Sequence, residues 1–155
     1  MPIYFYSSTD DYACFSNFSP HGFELDGVYW PTVEHYFQAQ KFAGTEHEEH
    51  VRRAKTAKQA KALGRRRDWP LREDWEAVKV DLMRRAVRRK FETHADIRAV
   101  LLGTGTDTIM EAAPDDYFWG CGRDGTGQNM LGQISMDVRE ALRAESVMQK
   151  QNEEG

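Results

Sequence analysis

The recurrence of apolar residues limits the fold more than any other feature of this chain. Trp75, Val78, Leu82 and Ala86 fall at i, i+3, i+7 and i+11 in a run without breakers from about Arg72 to about Phe91. That is the spacing of a helix with one core-facing stripe, and the run is expected to be the longest helix. Leu131, Ile134, Val138 and Leu142 repeat the pattern near the C-terminus. Shorter helices are expected at 33–42, at 46–54, from a Thr56 cap to Leu63 with Gly64 as the stop, and at 94–102. Strand signals are few: IYFY at 3–6, TIME at 108–111, and FELDGVYW at 23–30, where Asp26-Gly27 between apolar flanks marks a hairpin. The strands do not alternate regularly with helices, which argues against a doubly wound parallel sheet. The expected class is α+β: a single mostly helical domain with a small β-sheet over 1–145, then a frayed polar tail at 146–155.

A chain of 155 residues buries roughly two thirds of its unfolded surface and needs no disulfide staple. Cys14 and Cys121 lack the close Cys or His neighbours of a zinc set and read as reduced thiols. The N-terminus has no basic start followed by an apolar run, and no segment approaches the roughly 20 apolar residues of a membrane span. A cytoplasmic protein with no membrane association is expected. A net charge of −4 argues against a general nucleic-acid binder. Its distribution leaves room for a small anion: eight Lys or Arg and no acid lie between Val51 and Arg67, and Arg84, Arg85, Arg88, Arg89 and Lys90 form a second cluster.

Residues 26–44, DGVYWPTVEHYFQAQKFAG, set two opposite charges among rings. On a helix, Glu34 and Lys41 are seven residues apart and lie within roughly 20° of each other around the axis. Gln38 falls between them, and Phe37 flanks the stripe. An exposed polar face of such pairs is a common arrangement. A short helix with rings on its other sides instead belongs inside the molecule, where the stripe faces a pocket or a costly buried polar site. Lys58, Lys61 and Arg65 on the following basic helix are candidate phosphate partners. The loop at 115–129 adds Asp115, Asp116, Tyr117, Phe118 and Trp119 beside glycines that allow close ligand approach. Two acids and an amine walled by aromatics suit cleavage of a sugar–nitrogen bond. A carboxylate stabilises the oxocarbenium-like centre or activates water, and another group protonates the departing nitrogen. A lysine could instead trap the opened sugar as a Schiff base.

Other motifs are weaker. Gly120, Gly122 and Gly125 fit G-x-G-x-x-G, but no βαβ unit surrounds them, so the match is coincidental. The loop reads as flexible, with Asn129 capping the last helix and the helix N-terminus open to a phosphate. By period Trp75 is a core residue; by composition, between Asp74 and Glu76, it could rim a pocket. His35 and His94 have no metal-type partners, and no metal site is assigned. Ser7, Ser8 and Ser16 show no nucleophile-elbow pattern.

FSNFSP at 15–20, WPTVEHYFQAQKF at 30–42, AKALGR at 60–65, DWEAVKVDLM at 74–83, KF at 90–91, DDYFWG at 115–120 and GQNMLGQISMDVR at 127–139 resemble, in order, the motifs of the NADAR family, and more narrowly its bacterial YbiA-type members. The resemblance implies an N-glycosidase without metal or organic cofactor. Its substrate would be a small phosphorylated nucleotide-like molecule: the phosphoribosylamino-pyrimidine intermediates of riboflavin biosynthesis, cleaved to ribose 5-phosphate and an aminopyrimidine. Other branches of the family remove ADP-ribose from guanine in DNA or RNA, so ADP-ribosylated nucleic acid is the alternative substrate. A non-catalytic ADP-ribose- or nucleotide-binding module is a third reading. Residue by residue, the resemblance makes Glu34, Asp116, Lys41 and Trp75 the catalytic set, with Trp75 stacking on the base. It makes Asn17, Arg65, Trp119 and Gly120 substrate-binding, and Asn129 joins them from the loop.

Overall fold

The computed structural model describes residues 1–154, and Gly155 of the expected tail lies outside the described residues. Strand β1 (Ile3–Phe5) leads through a short 3-10 turn at Ala13–Phe15 to a hairpin, β2 (Phe23–Leu25) and β3 (Val28–Trp30). The hairpin forms because Asp26 and Gly27 both take positive φ, 57° and 77°, the geometry that matches the twist of paired strands. Helices α1 (Val33–Gln40), α2 (Glu46–Arg52) and α3 (Ala57–Gly64) follow, then α4 (Trp75–Thr93) and α5 (Ala95–Gly103). Strand β4 (Ile109–Glu111) and helix α6 (Met130–Glu154) complete the described chain. β4 pairs in parallel with β1, setting Glu111 opposite Phe5. The strands thus make two separate two-stranded ladders around which the helices pack.

Each short helix begins on a side-chain cap. Thr32, Thr45 and Thr56 accept hydrogen bonds from the amides of His35, His47 and Gln59. Thr32 does more. Its hydroxyl lies 2.8 Å from His35 Nδ1, while His35 Nε2 lies 2.9 Å from the Ala54 carbonyl. A carbonyl only accepts, so Nε2 carries the proton and Nδ1 accepts from Thr32. Burial holds this imidazole below its ordinary pKa. One neutral histidine therefore ties α1 to the end of α2.

The core stripe of α4 lies a little later than the apolar spacing suggests. Trp75 and Ala86 are buried, Val78 and Leu82 only partly, and Met83, Val87, Lys90 and Phe91 complete the inner face. Leu131, Ile134, Val138 and Leu142 of α6 are all buried. The longest helix is α6, with 25 residues against 19 in α4. It continues through the region expected to fray, its side chains exposed from Ala144 onward. No described helix is long and apolar enough to cross a membrane.

The second basic cluster is used by the fold. Arg84 pairs with Asp81 and Asp137, Arg85 with Asp26, and Arg88 with Glu92 and Glu145. Lys90 is buried, and its Nζ donates to the carbonyls of Cys14 (2.8 Å) and Ser16 (3.2 Å) and to Ser19 Oγ (3.3 Å). Burial lowers its pKa to about 7. Its three acceptors all lie in 14–19, so Lys90 fixes the loop that carries Asn17.

Candidate active site

Seven of the eight residues of α1 are buried, Val33 through Ala39, so its polar stripe does face inward. Glu34 is 6% exposed. Gln38 Nε2 donates to Glu34 Oε1 at 2.7 Å, the i, i+4 contact expected from helix geometry. Lys41, one residue past the helix, sends Nζ to the Gly64 carbonyl at 3.1 Å. Burial pushes the Glu34 carboxyl upward; the Gln38 amide and the cations Lys61, Lys41 and Arg65 pull it back. Burial likewise lowers the Lys41 ammonium, with Glu34 opposing it. The two charges of the stripe thus moderate each other inside a poorly solvated space.

That space is a chamber of about 220 Å³ lined by Glu34, Lys41, Asn17, Arg65, Asp116 and Trp119, among others. Six of the sequence-derived candidates from four segments meet there. A larger cavity of about 670 Å³ shares Ser16, Phe18, Lys61, Arg65, Glu111 and Asp116 with it. Lys61 and Arg65 therefore stand where the two spaces meet, whereas Lys58 is exposed and lines neither. Phe37 and Trp119 form an aromatic corner of the chamber, ring centroids 5.2 Å apart at 84°. Asn17 Oδ1 and Gln38 Oε1 are buried without a hydrogen-bond partner. Unpaired buried acceptors are costly, and at the Asn17 position a hydroxyl of a bound sugar would satisfy one.

Asp116 is held by the chain around it. Its Oδ1 accepts from the amides of Phe118 (3.0 Å) and Trp119 (2.8 Å), which fixes the turn that delivers Trp119.

Three candidates occupy other places than expected. Trp75 lines neither cavity. Its ring packs on Phe37 at 5.0 Å, with Lys41 Nζ 5.8 Å from its centroid. It stands behind the wall, where its helical period puts it, and Phe37 and Trp119 are the rings that reach the chamber. Gly120 also lies outside both linings. A Cβ there would come within 2.9 Å of Ala113 Cβ and 3.0 Å of the Asp116 carbonyl, so its small size serves the close packing of the loop. Asn129 neither caps α6 nor lines a cavity. Its Oδ1 accepts from the Glu111 amide at 2.8 Å and its Nδ2 donates to the Ile109 carbonyl at 2.9 Å. Its side chain is thus spent on β4.

The glycine-rich loop is pinned rather than flexible. The amides of Gln128, Asn129, Met130 and Leu131 donate to the carbonyls of Tyr117, Gly120, Phe118 and Trp119, and the Cys121 amide donates to Glu111. The first two amides of α6, Met130 and Leu131, are taken in these bonds and are not open to a phosphate.

Gly64 was expected only to stop α3, but close packing is what requires it. A Cβ at that position would lie 1.9 Å from Gln38 Oε1 and 2.6 Å from its Cδ. Gly64→Ala is expected to cost about 1–3 kcal/mol by overpacking, and turnover should fall as Gln38 shifts away from Glu34. Thermal unfolding and steady-state rates check this; an unchanged melting temperature with full activity would show that Gln38 is not confined.

Glu111 was missed as a site residue. It lines both cavities, and its Oε2 is buried without a partner. The strand reading did contain the signal. In a period of two Glu111 shares a face with Ile109, which is fully buried, so the carboxyl is directed inward.

Known proteins resemble this chain over most of its length. The chain is 51% identical over 146 residues to the N-glycosidase Npun_R5314 of Nostoc punctiforme, covering 92% of this chain and 94% of that protein. It is 48% identical over 143 residues to the N-glycosidase YbiA of Escherichia coli, covering 92% and 89%. The NMR structure of E. coli YbiA superposes with a TM-score of 0.87 at 46% identity, over 94% of this chain and 87% of that one. A maize chloroplastic riboflavin biosynthesis protein, PYRR, is 41% identical over 155 residues, a match spanning 90% of this chain and 25% of the maize protein. The NADAR domain model matches residues 4–143. The chain belongs to the NADAR family.

Proposed function

We propose that the protein is an N-glycosidase that hydrolyses the ribosyl–nitrogen bond of phosphoribosylamino-pyrimidine intermediates of riboflavin biosynthesis, releasing ribose 5-phosphate and an aminopyrimidine. The reaction class is that of the bacterial relatives, and the name of the maize relative supports the pathway. The observation that carries the reading is the convergence of Glu34, Asp116 and Lys41 on one small chamber with cations at its mouth. The ribose sits in the chamber with a hydroxyl on Asn17 Oδ1. Its phosphate is held by Lys61 and Arg65, and the pyrimidine lies against Phe37 and Trp119. Glu34 and Asp116 face the positive charge that develops as the bond to nitrogen lengthens, the kind of electrostatic stabilisation that works best in a dry site. Glu34 also takes a proton from the attacking water. Lys41 contacts the sugar and opposes the effect of burial on the Glu34 carboxyl.

The second reading, removal of ADP-ribose from guanine, is favoured by the larger cavity. At about 670 Å³ it falls in the size range of sites that hold a nucleotide. The two are separated by incubating the protein with both riboflavin intermediates and, in parallel, with an oligonucleotide carrying ADP-ribosyl-guanine, then assaying ribose 5-phosphate and free ADP-ribose. The expected outcome is ribose 5-phosphate from the intermediates at a rate well above any release of ADP-ribose. The reverse order would replace the first reading with the second.

A further inference from the structure

We propose that Glu111 is the general acid of this site, delivering the proton that the departing nitrogen needs. The inference rests on the N-glycosidase reading above. Three carboxyl groups line the chamber, Glu34, Asp116 and Glu111, and their surroundings differ. Glu34 receives a hydrogen bond from Gln38 and lies near three cations. Asp116 has one oxygen tied by two backbone amides. Glu111 has no hydrogen bond on its carboxyl, and it alone of the acids with Asp116 borders both spaces. It thus stands at the junction where a sugar in the small chamber would meet a leaving group extending outward.

The ionisable side chains sharing these walls are Glu34 and Lys41 on α1, Lys61 and Arg65 on α3, Asp115 and Asp116 in the loop, and Tyr6, Cys14 and His21 on the outer side. Among them, Asp116 and Glu34 act on Glu111 against ionisation and Lys61 acts for it. With burial as the largest cause, the Glu111 carboxyl is raised to about 7. Burial raises Glu34 as well, so the roles divide by place: Glu111, its Oε2 without a partner, borders both spaces, whereas Glu34 lines the small chamber alone and is engaged by Gln38.

The backbone holds it in place. The Glu111 amide donates to Asn129 Oδ1, and its carbonyl accepts from the Cys121 amide. In the step proposed, the C1–N bond breaks with its electron pair going to nitrogen, which takes the proton from Glu111. Water adds its oxygen to C1 and gives its proton to Glu34. Proton exchange with solvent then restores a protonated Glu111 and an ionised Glu34, so the sum is one water consumed per bond cleaved.

The test compares two substrates in wild type and Glu111→Gln. One is the phosphoribosylamino-pyrimidine. The other is nitrophenyl ribofuranoside 5-phosphate, whose leaving group departs without a proton. Glu111→Gln is expected to lower kcat about 10³-fold on the first and to stay within about tenfold of wild type on the second. Wild-type kcat/KM on the first substrate should fall as pH rises through about 7, with no such limb on the second. This pH profile needs no variant to fold. Equal losses on both substrates, or full activity on both, would overturn the proposal while leaving the N-glycosidase reading intact. A wild-type protein that releases ribose 5-phosphate from neither would overturn both.

Discussion

Glu34→Gln is expected to lower turnover about 10³-fold while leaving the protein folded. The substitution is close to isosteric. A glutamine Oε1 still accepts the hydrogen bond that Gln38 Nε2 gives to Glu34 at 2.7 Å, so the positioning of the stripe survives and only the charge is removed. Stability should not suffer. Burial raises the Glu34 carboxyl above its ordinary range, so the folded state holds this proton more tightly than the unfolded chain does. The favourable contribution of that proton is lost as pH rises through the folded pKa, and ionisation at neutral pH then costs stability. Glu34→Gln should therefore melt at or above the wild-type temperature at pH 7. A folded variant with full activity would remove Glu34 from the chemistry.

The largest effect on stability is expected from Asn129→Ala. Asn129 is buried with a positive φ of 53°, which asparagine tolerates better than alanine. Its side chain holds the Glu111 amide and the Ile109 carbonyl, and both backbone groups lose their partner when it is cut back. Each unpaired buried group costs about 1–3 kcal/mol, so a total of about 3 kcal/mol and a fall in melting temperature of roughly 6–12 °C are expected. Gly132 reflects the same packing, since a Cβ there would sit 2.3 Å from Asn129 Nδ2. Asn129→Asp keeps the acceptor and loses the donor, and its loss should be intermediate. Activity should fall most in Asn129→Ala, where the Glu111 amide loses its acceptor, and less in Asn129→Asp, where that acceptor remains. Differential scanning fluorimetry with rates measured well below the melting point separates the two effects. A melting temperature unchanged in Asn129→Ala would show that these hydrogen bonds contribute nothing to the fold.

The candidate site was legible in the sequence to the extent that it is local. Glu34, Gln38 and Lys41 follow from the 3.6-residue period alone, and the helix that carries them is short and ringed enough to be buried. The Asp-Gly hairpin and the Thr32 and Thr56 caps are equally local signals. What escaped depends on pairing between distant segments. The loop at 115–129 has the composition of a flexible segment, yet its carbonyls are taken by the amides that open α6, a match no local pattern encodes. For the same reason Asn129 looked like a cap and holds a strand edge instead. Glu111 needed knowledge of which face of β4 turns inward, and that is set by its parallel partner β1, more than a hundred residues earlier in the chain. Trp75 shows the opposite case. Its helical spacing placed it in the core, and its ring does pack there against Phe37, one layer from the chamber.

The convergence of distant side chains on one bond is tested most directly by a structure of the Glu34→Gln protein with uncleaved phosphoribosylamino-pyrimidine bound. The ribose should occupy the small chamber beside residue 34 and Asp116, with its phosphate on Lys61 and Arg65. The linking nitrogen should lie within hydrogen-bond reach of the Glu111 carboxyl. A substrate seated wholly in the larger cavity, with its C1 atom remote from residue 34, would contradict the assignment of this chamber as the place where the bond is broken.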